Sequence, residues 1–499
     1  MSHINNILKQ AWDKGSWLAH RQAARKIKTI FTSGKAEPLT NMKIALLSSF
    51  TIDPLADYAI TAAAAEQICL DIYLPGYDQF NQEILNPKSG LYNFQPEITF
   101  LFIEWDSLVL ADDPKMPNQT ENEIIARIKS LVDHFKQHAS SLFVLGNFIS
   151  ALSWPLHITP DNKSSLITQV NQLLFEQFAD DPQIQILDLN ALAAYHGYQT
   201  ALSPEMLHLA RHPFSESFLP ILSQKIMSHI KALRGLTRKC LVLDCDNTLW
   251  GGIIGEDGLD GIQLGPDTPG REFVDFQKTI LELFQQGVIL AINSKNNYAD
   301  VLEVLQNHPQ MVLREKHFAA LEINWSDKPA NMRRIARDLN LGLDSFVFFD
   351  DNPAEREMMQ QMLPEVFTVD APDNPAWFAR TLRETNLFVK AYLTEEDRRR
   401  GQIYADQRRR QKLQSSVNSV EEYLTSLDMI ATVYLTNTDH IKRVAQLTQR
   451  TNQFNLTTRR YQEADIKTML DTKKWRLYTL SLKDKFGDNG IVGAALVIR

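Results

Sequence analysis

A chain of 499 residues, 44% of them hydrophobic and 22% charged, has material for roughly three globular domains. Its formal net charge of −8 argues against nucleic acid as the main partner, because nucleic-acid-binding domains usually carry a basic excess. No apolar run approaches the ~18 residues of a membrane span, and the opening Met1-Ser2-His3-Ile4-Asn5-Asn6 lacks a signal-peptide apolar region, so the expectation is a cytoplasmic protein with no membrane partner. Its cysteines, Cys69, Cys240 and Cys245, are too few and too scattered for a disulfide framework or a zinc cluster.

Residues 5–32 read as an amphipathic helix with Ile7, Leu8, Trp12, Trp17, Leu18 and Ile27 available for packing, a structural role within an N-terminal segment 1–40. The period then changes. Lys43-Ile44-Ala45-Leu46-Leu47-Ser48-Ser49 is a strand, and further strands near 98–103, 141–144 and 184–187 predict a doubly wound parallel-sheet domain over 41–235. Charged, breaker-containing sequence around 231–239 leads into a second such domain, predicted over 236–390.

The second domain carries the chemistry. Its first strand, Cys240–Leu243, stops abruptly in Asp244 and Asp246, which puts carboxylates at the carboxyl edge of a sheet, where open α/β folds keep their sites. Negative charges that close need a cation, and oxygen-only ligands suit Mg²⁺. An aspartate beside Mg²⁺ can also attack phosphorus. Alone, such a pair is as often a cap or a solvated acid. It is followed, however, by Leu290-Ala291-Ile292-Asn293-Ser294-Lys295, a strand ending in a hydroxyl, and by Asn324-Trp325-Ser326-Asp327-Lys328-Pro329, with a lysine at a helix start. Phe346-Val347-Phe348-Phe349-Asp350-Asp351-Asn352-Pro353 is a strand ending in paired acids. Ser294 can donate to a phosphoryl oxygen, Lys328 can neutralise it, and Asp350 with Asp351 can complete a metal shell.

This order, with the strings D-C-D-N-T-L-W-G-G-x-I-G-E-D-G from Asp244 and F-F-D-D-N-P-A-E-R-E from Phe348, resembles the haloacid dehalogenase-like (HAD) superfamily and its FkbH-like subfamily. The resemblance implies Asp244 as nucleophile, Asp246 as general acid/base, Thr248 and Ser294 as phosphate ligands and Lys328 as the charge clamp. It implies Mg²⁺ held by Asp351 and Asp350 with Asp244 and Asp246, and leaves Asn293, Lys295 and Asn352 as flanking substrate-binding candidates. An acid two positions after the nucleophile is the superfamily's phosphatase or phosphotransferase pattern. Neither gap between the motifs has room for a cap domain. The first holds a glycine-rich flap (251–265), a helix and a strand, and the second about one helix and one strand. An uncapped site favours an acceptor presented on a macromolecule.

The first domain resembles the SGNH-hydrolase-like region that precedes the HAD unit in FkbH-like proteins. Its G-D-S block is replaced by Leu47-Ser48-Ser49, Gly146-Asn147 could supply oxyanion contacts, and Glu205-Met206-Leu207-His208 stands where D-x-x-H is expected. Ser49 with His208 as base would follow triad logic. The broken nucleophile block favours a docking domain without catalysis.

Residues 391–428 read as a helical linker bearing Arg398, Arg399, Arg400, Arg408, Arg409, Arg410 and Lys412, expected as a solvated face, with docking of an acidic carrier as the alternative. Region 429–499 reads as α+β. Its strings Arg450-Thr451-Asn452-Gln453-Phe454-Asn455-Leu456-Thr457 and Asp484-Lys485-Phe486-Gly487-Asp488-Asn489-Gly490-Ile491-Val492-Gly493 resemble the acetyltransferase-like (GNAT-like) tail of the same family. The phosphate-binding loop of a working acetyltransferase would follow strand 494–498, where the sequence stops at Arg499, so an incomplete region or one without acyl-coenzyme A activity is expected.

The resemblance implies a glyceryl transferase/phosphatase. Such proteins take 1,3-bisphosphoglycerate, remove its phosphates, and load a glyceryl unit onto the phosphopantetheine thiol of an acyl carrier protein in polyketide-type biosynthesis. Cys245, between the catalytic aspartates, is either a thioester relay for that group or a small wall residue. Two rivals stand beside this reading: an uncapped phosphatase acting on a protein or sugar phosphate, and a non-catalytic carrier-docking scaffold.

Overall fold

The computed structural model describes residues 2–108, 120–150, 162–390, 395–417, 419–435, 438–450, 461–472 and 474–498. Two units emerge, Met1–Leu236 and Thr237–Arg499.

In the first unit β1 (Thr40–Ser48), β2 (Ile68–Tyr73), β3 (Ile98–Phe102), β4 (Leu142–Gly146) and β5 (Ile184–Leu187) form a parallel sheet in the order β2-β1-β3-β4-β5. Strands β3 and β4 are buried along their whole length, Thr99 included, because both faces are covered. The single helix expected over 5–32 is two, Ser2–Lys14 and Trp17–Thr32. Gly15 takes φ 63° and Ser16 caps the second helix by accepting from Ala19 N at 3.4 Å, so a stop and a start signal lie side by side. Ile4, Leu8, Ala23, Ile27 and Phe31 pack together with Ala64, while Leu18 stays 61% exposed.

The second unit repeats the architecture with β6 (Cys240–Leu243), β7 (Ile289–Ser294), β8 (Phe318–Ile323), β9 (Phe346–Phe349) and β10 (Phe367–Thr368), all parallel, in the order β10-β9-β6-β7-β8. The chain leaves β6 toward β7 and β8 on one side and returns to β9 and β10 on the other. The resulting switch point at the carboxyl ends of β6 and β9 is where such sheets bind ligands. Between β6 and β7 lie the flap, with helix Ile254–Gly261, and helix Arg271–Gln285; between β7 and Lys328 lie helix Tyr298–Asn307, a short 3₁₀ turn and β8. No cap domain interrupts either gap, as the spacing predicts.

Helix Glu395–Ser416 packs along β7 and β8 rather than standing as a solvated linker. Gly401 permits this approach, since a Cβ there would meet Val288 O at 2.7 Å and the Phe284 ring at 2.9 Å. Several of its arginines have partners within the molecule: Arg408 shares Glu315 with Lys412, at 3.3 Å, Arg409 pairs with Asp406, and buried Arg410 holds both oxygens of Asp484 at 2.7 and 3.1 Å. Then come β11 (Ile430–Leu435), β12 (Trp475–Asp484) and β13 (Gly487–Ile498), an antiparallel sheet in that order. Asp484 opens the tight β12–β13 turn and accepts from Phe486 N and Gly487 N, so this part of the second acetyltransferase-like string is a hairpin. Most of the first string, residues 451–457, lies outside the described residues.

Candidate active site

Strand register assembles the site. Leu243 pairs with Ile292 of β7 and with Phe349 of β9, so Asp244, Asn293 and Asp350 follow at one level just past the sheet. Lys328, first residue of the helix Lys328–Asp338, is 3% exposed and reaches both acids: Nζ lies 2.9 Å from Asp244 Oδ1 and donates to Asp350 Oδ2 at 2.5 Å. Asp244, Asp350 and Asp351 each offer an oxygen, all within 4.8 Å of one another.

The electrostatics call for a cation. Burial raises the Asp350 carboxyl above the usual carboxylate range, the charge of Asp244 adds to the rise, and Lys328 opposes it. Burial and Asp244 raise Asp351 as well, against a hydrogen bond from Thr248. Burial disfavours the charge on Lys328, yet Asp244 and Asp350 outweigh it and hold the ammonium above the ordinary lysine range. One ammonium among three carboxylates leaves negative charge in excess. Among the described residues Asp244 Oδ1 is buried and makes no hydrogen bond beyond that ion pair, and the donor set is all oxygen. These residues fit a hard divalent cation such as Mg²⁺.

Asp246 departs from the metal shell the sequence suggests. Its carboxylate is held elsewhere: Oδ1 accepts from Trp250 Nε1 at 2.9 Å and from Ile254 N at 3.1 Å, and Oδ2 from Asn296 Nδ2 at 3.0 Å. Burial raises its carboxyl against those bonds, which suits a group that must carry a proton. Asn247 makes this possible by adopting φ 54° and accepting from Gly252 N at 2.9 Å, folding the flap back over the acid.

The other candidates take varied places. Ser294 ends β7 facing the cavity and accepts from Asn296 Nδ2 at 3.2 Å. Thr248, expected on phosphate, donates instead to Asp351 Oδ1 at 3.0 Å and accepts from Asp351 N at 3.2 Å, bracing that acid. Asn293, expected on substrate, is fully buried; it donates to Lys328 O at 2.9 Å and accepts from Asn331 Nδ2 at 3.1 Å, fixing the start of the lysine helix. Lys295 and Asn352 line the cavity, the former paired with Glu355 at 2.5 Å and the latter capping helix Pro353–Met362. Cys245 is wholly buried beside Leu243 and Leu249, and burial, then Asp244, drive its thiol well above the ordinary value. The thiol belongs to the core cluster and touches the Ser294 hydroxyl, but Cys245 is not among the residues lining the cavity, so the relay, one of its two readings, finds no support in this arrangement.

Sequence reading missed Asn296, which orients Asp246, and Arg356, whose Nη1 donates to the carbonyls of Asp350 at 3.1 Å and Asp351 at 2.6 Å. Both lie inside or beside the motifs, but only the fold shows that they point at its acids. The cavity itself, about 500 Å³, opens between the flap (Ile253, Glu256) and Trp325, which is 71% exposed and donates Nε1 to Asn297 Oδ1 at 3.2 Å.

In the first unit the structure does not join the suggested pair. Ser49 is buried, with Oγ accepting from Glu104 N at 2.8 Å, while His208 is exposed on helix Pro204–Ala210. Asn147 spends its side chain on Asp188 at 2.8 Å and Asn190 N at 2.9 Å. Across the described residues no helix is long and apolar enough to cross a membrane.

The fold and the acids define an uncapped, phosphatase-type site of the HAD class. Residues 43–231 match the model of the FkbH N-terminal domain. The chain is also similar, at 28% identity and a TM-score of 0.67, to the crystal structure of the N-terminal part of the protein BF1531 from Bacteroides fragilis. That protein is described as containing a phosphatase domain complexed with Mg, and the match covers 74% of this chain and 99% of that one. No curated protein matches. These likenesses support an FkbH-like protein of HAD type.

Proposed function

We propose that the second unit is a Mg²⁺-dependent phosphatase whose full reaction is glyceryl transfer from 1,3-bisphosphoglycerate to the phosphopantetheine thiol of an acyl carrier protein, in the cytoplasm, within polyketide-type biosynthesis. The observation that carries the phosphatase half is the Asp244–Lys328–Asp350 ion-pair chain beside Asp351 at the sheet's switch point. Asp244, Asp350 and Asp351 would hold Mg²⁺, which offsets phosphate charge when bound.

Asp244 attacks the phosphoester phosphorus, the bond from phosphorus to the C3 oxygen breaks, and that oxygen takes a proton from Asp246. Water then attacks the aspartyl phosphate, losing its proton to Asp246, and inorganic phosphate leaves. In the acyl half the carrier thiol attacks the C1 carbonyl carbon. A C–S bond forms, the C–O bond to phosphate breaks, and phosphate leaves with the electron pair and takes up the thiol proton. With Cys245 buried, this attack is direct. The open cavity and the absence of a cap support an acceptor on a macromolecule.

Asp244→Asn tests the core of the proposal. The amide keeps an oxygen for the metal but cannot attack phosphorus, so phosphate release should fall by several orders of magnitude. Near-native turnover would remove Asp244 from the mechanism.

A further inference from the structure

A second cavity, about 650 Å³, larger than the catalytic one, runs along the outer edge of β8 beneath helix Glu395–Ser416. Its floor is Ala319, Ala320, Leu321 and Glu322, and its wall is formed by Tyr404, Gln407, Arg408 and Gln411. Among the described residues β8 is the last strand of its sheet, bonded to β7 alone. Among the described residues no hydrogen bond from outside the sheet reaches the backbone of 319–322, a row of strand-edge groups left open to pairing.

The groove has a polarity. At the amino end of β8, Arg408 and Lys412 converge on Glu315, 3.3 and 3.6 Å from its Oε1. At the carboxyl end the groove stops at Tyr298 and Glu322; the adjoining Asn297 and Trp325 line the catalytic cavity, and Trp325 Nε1 bonds Asn297 Oδ1. The acids on the groove wall are neutralised from outside it, Glu322 by Arg334 at 3.0 Å and Asp338 by Arg337 at 3.3 Å. Two cations against the one carboxylate of Glu315 leave that end net positive, and the other end adjoins the Asp244 site, two strand spacings (about 10 Å) across from β6.

We propose that this groove receives the phosphopantetheine arm of a carrier protein, its phosphate at Arg408 and Lys412, its two amides paired with the edge of β8 and with Gln407 and Gln411, and its thiol delivered past Trp325. The arm fits in kind: an anion at one end, peptide-like amides in the middle, a thiol at the other. It also fits in length, about five extended residues or roughly 17 Å, beside a strand of six. Pairing of this sort is strand addition, in which backbone bonds supply affinity and the groove ends set direction. The inference rests on the acyl-transfer reading for its purpose and on the groove alone for its binding.

The test separates the two. Free phosphopantetheine is added to the full chain and amide hydrogen exchange is followed; the expected result is slowed exchange within 319–323, abolished by Gln407→Trp and by Gln411→Trp, each an exposed substitution that fills the groove. Both variants should release phosphate from 1,3-bisphosphoglycerate at the parent rate and load the short thiol N-acetylcysteamine normally, but load a holo carrier at least tenfold more slowly. Absence of protection in β8, or equal protection in both variants, would overturn the groove. Protection that is lost in the variants while no thiol of any kind is ever acylated would leave the groove standing and sink the transfer reading.

Discussion

Thr248 lies against both the carboxylate and the backbone amide of Asp351. Its hydroxyl both donates to and accepts from Asp351, so Thr248→Val should leave the fold intact and weaken Mg²⁺ affinity by about tenfold, the usual size of an outer-partner loss. Calorimetric titration of Mg²⁺ checks this, and an unchanged affinity would return Thr248 to the phosphate. Thr248 and Cys245 alike were legible as motif residues but not in their roles, because a motif shows which side chains gather and not which of them touch. Adjacent in sequence to two catalytic acids, Cys245 is wholly buried, and burial and then Asp244 raise its thiol against the Ser294 hydroxyl and Lys328. Iodoacetamide at pH 8 should leave Cys245 unmodified in the native protein and label it only after denaturation. Native labelling that inactivates at the same rate would revive the covalent relay.

At the level of elements, the strands of both sheets could be read from apolar runs, since buried parallel strands announce themselves by composition. The helix Glu395–Ser416 could be read as a helix, but its packing on the sheet could not. Its arginines look like a solvated face because the carboxylates that neutralise them, Glu315 and Asp484, lie far away in the chain. Arg410→Ala would leave Asp484 buried with its bidentate partner gone, at a cost of about 3–5 kcal/mol. Denaturant unfolding should register that loss, and exchange should quicken in the β12–β13 hairpin, whose turn Asp484 holds. Stability equal to the parent would mean the pair is cosmetic.

Over the whole molecule, the sequence told the doubly wound pair of domains, the missing cap and the acids at the switch point, all consequences of local period and spacing. What it hid depends on register and on distant partners: the turn of Asp246 toward Trp250, Ile254 and Asn296, the anchoring of Lys328 by Asn293, and the separation of Ser49 from His208. The account joins a phosphatase-type acid cluster to an open face and a thiol-bearing acceptor. It is tested most directly by incubating the protein with Mg²⁺, 1,3-bisphosphoglycerate and a panel of holo carrier proteins and weighing the carriers intact. The account predicts that one carrier gains a glyceryl unit while phosphate is released, that chelation stops both, and that Cys245→Ser stops neither. Rapid Mg²⁺-dependent phosphate release with every carrier left at its starting mass would contradict it.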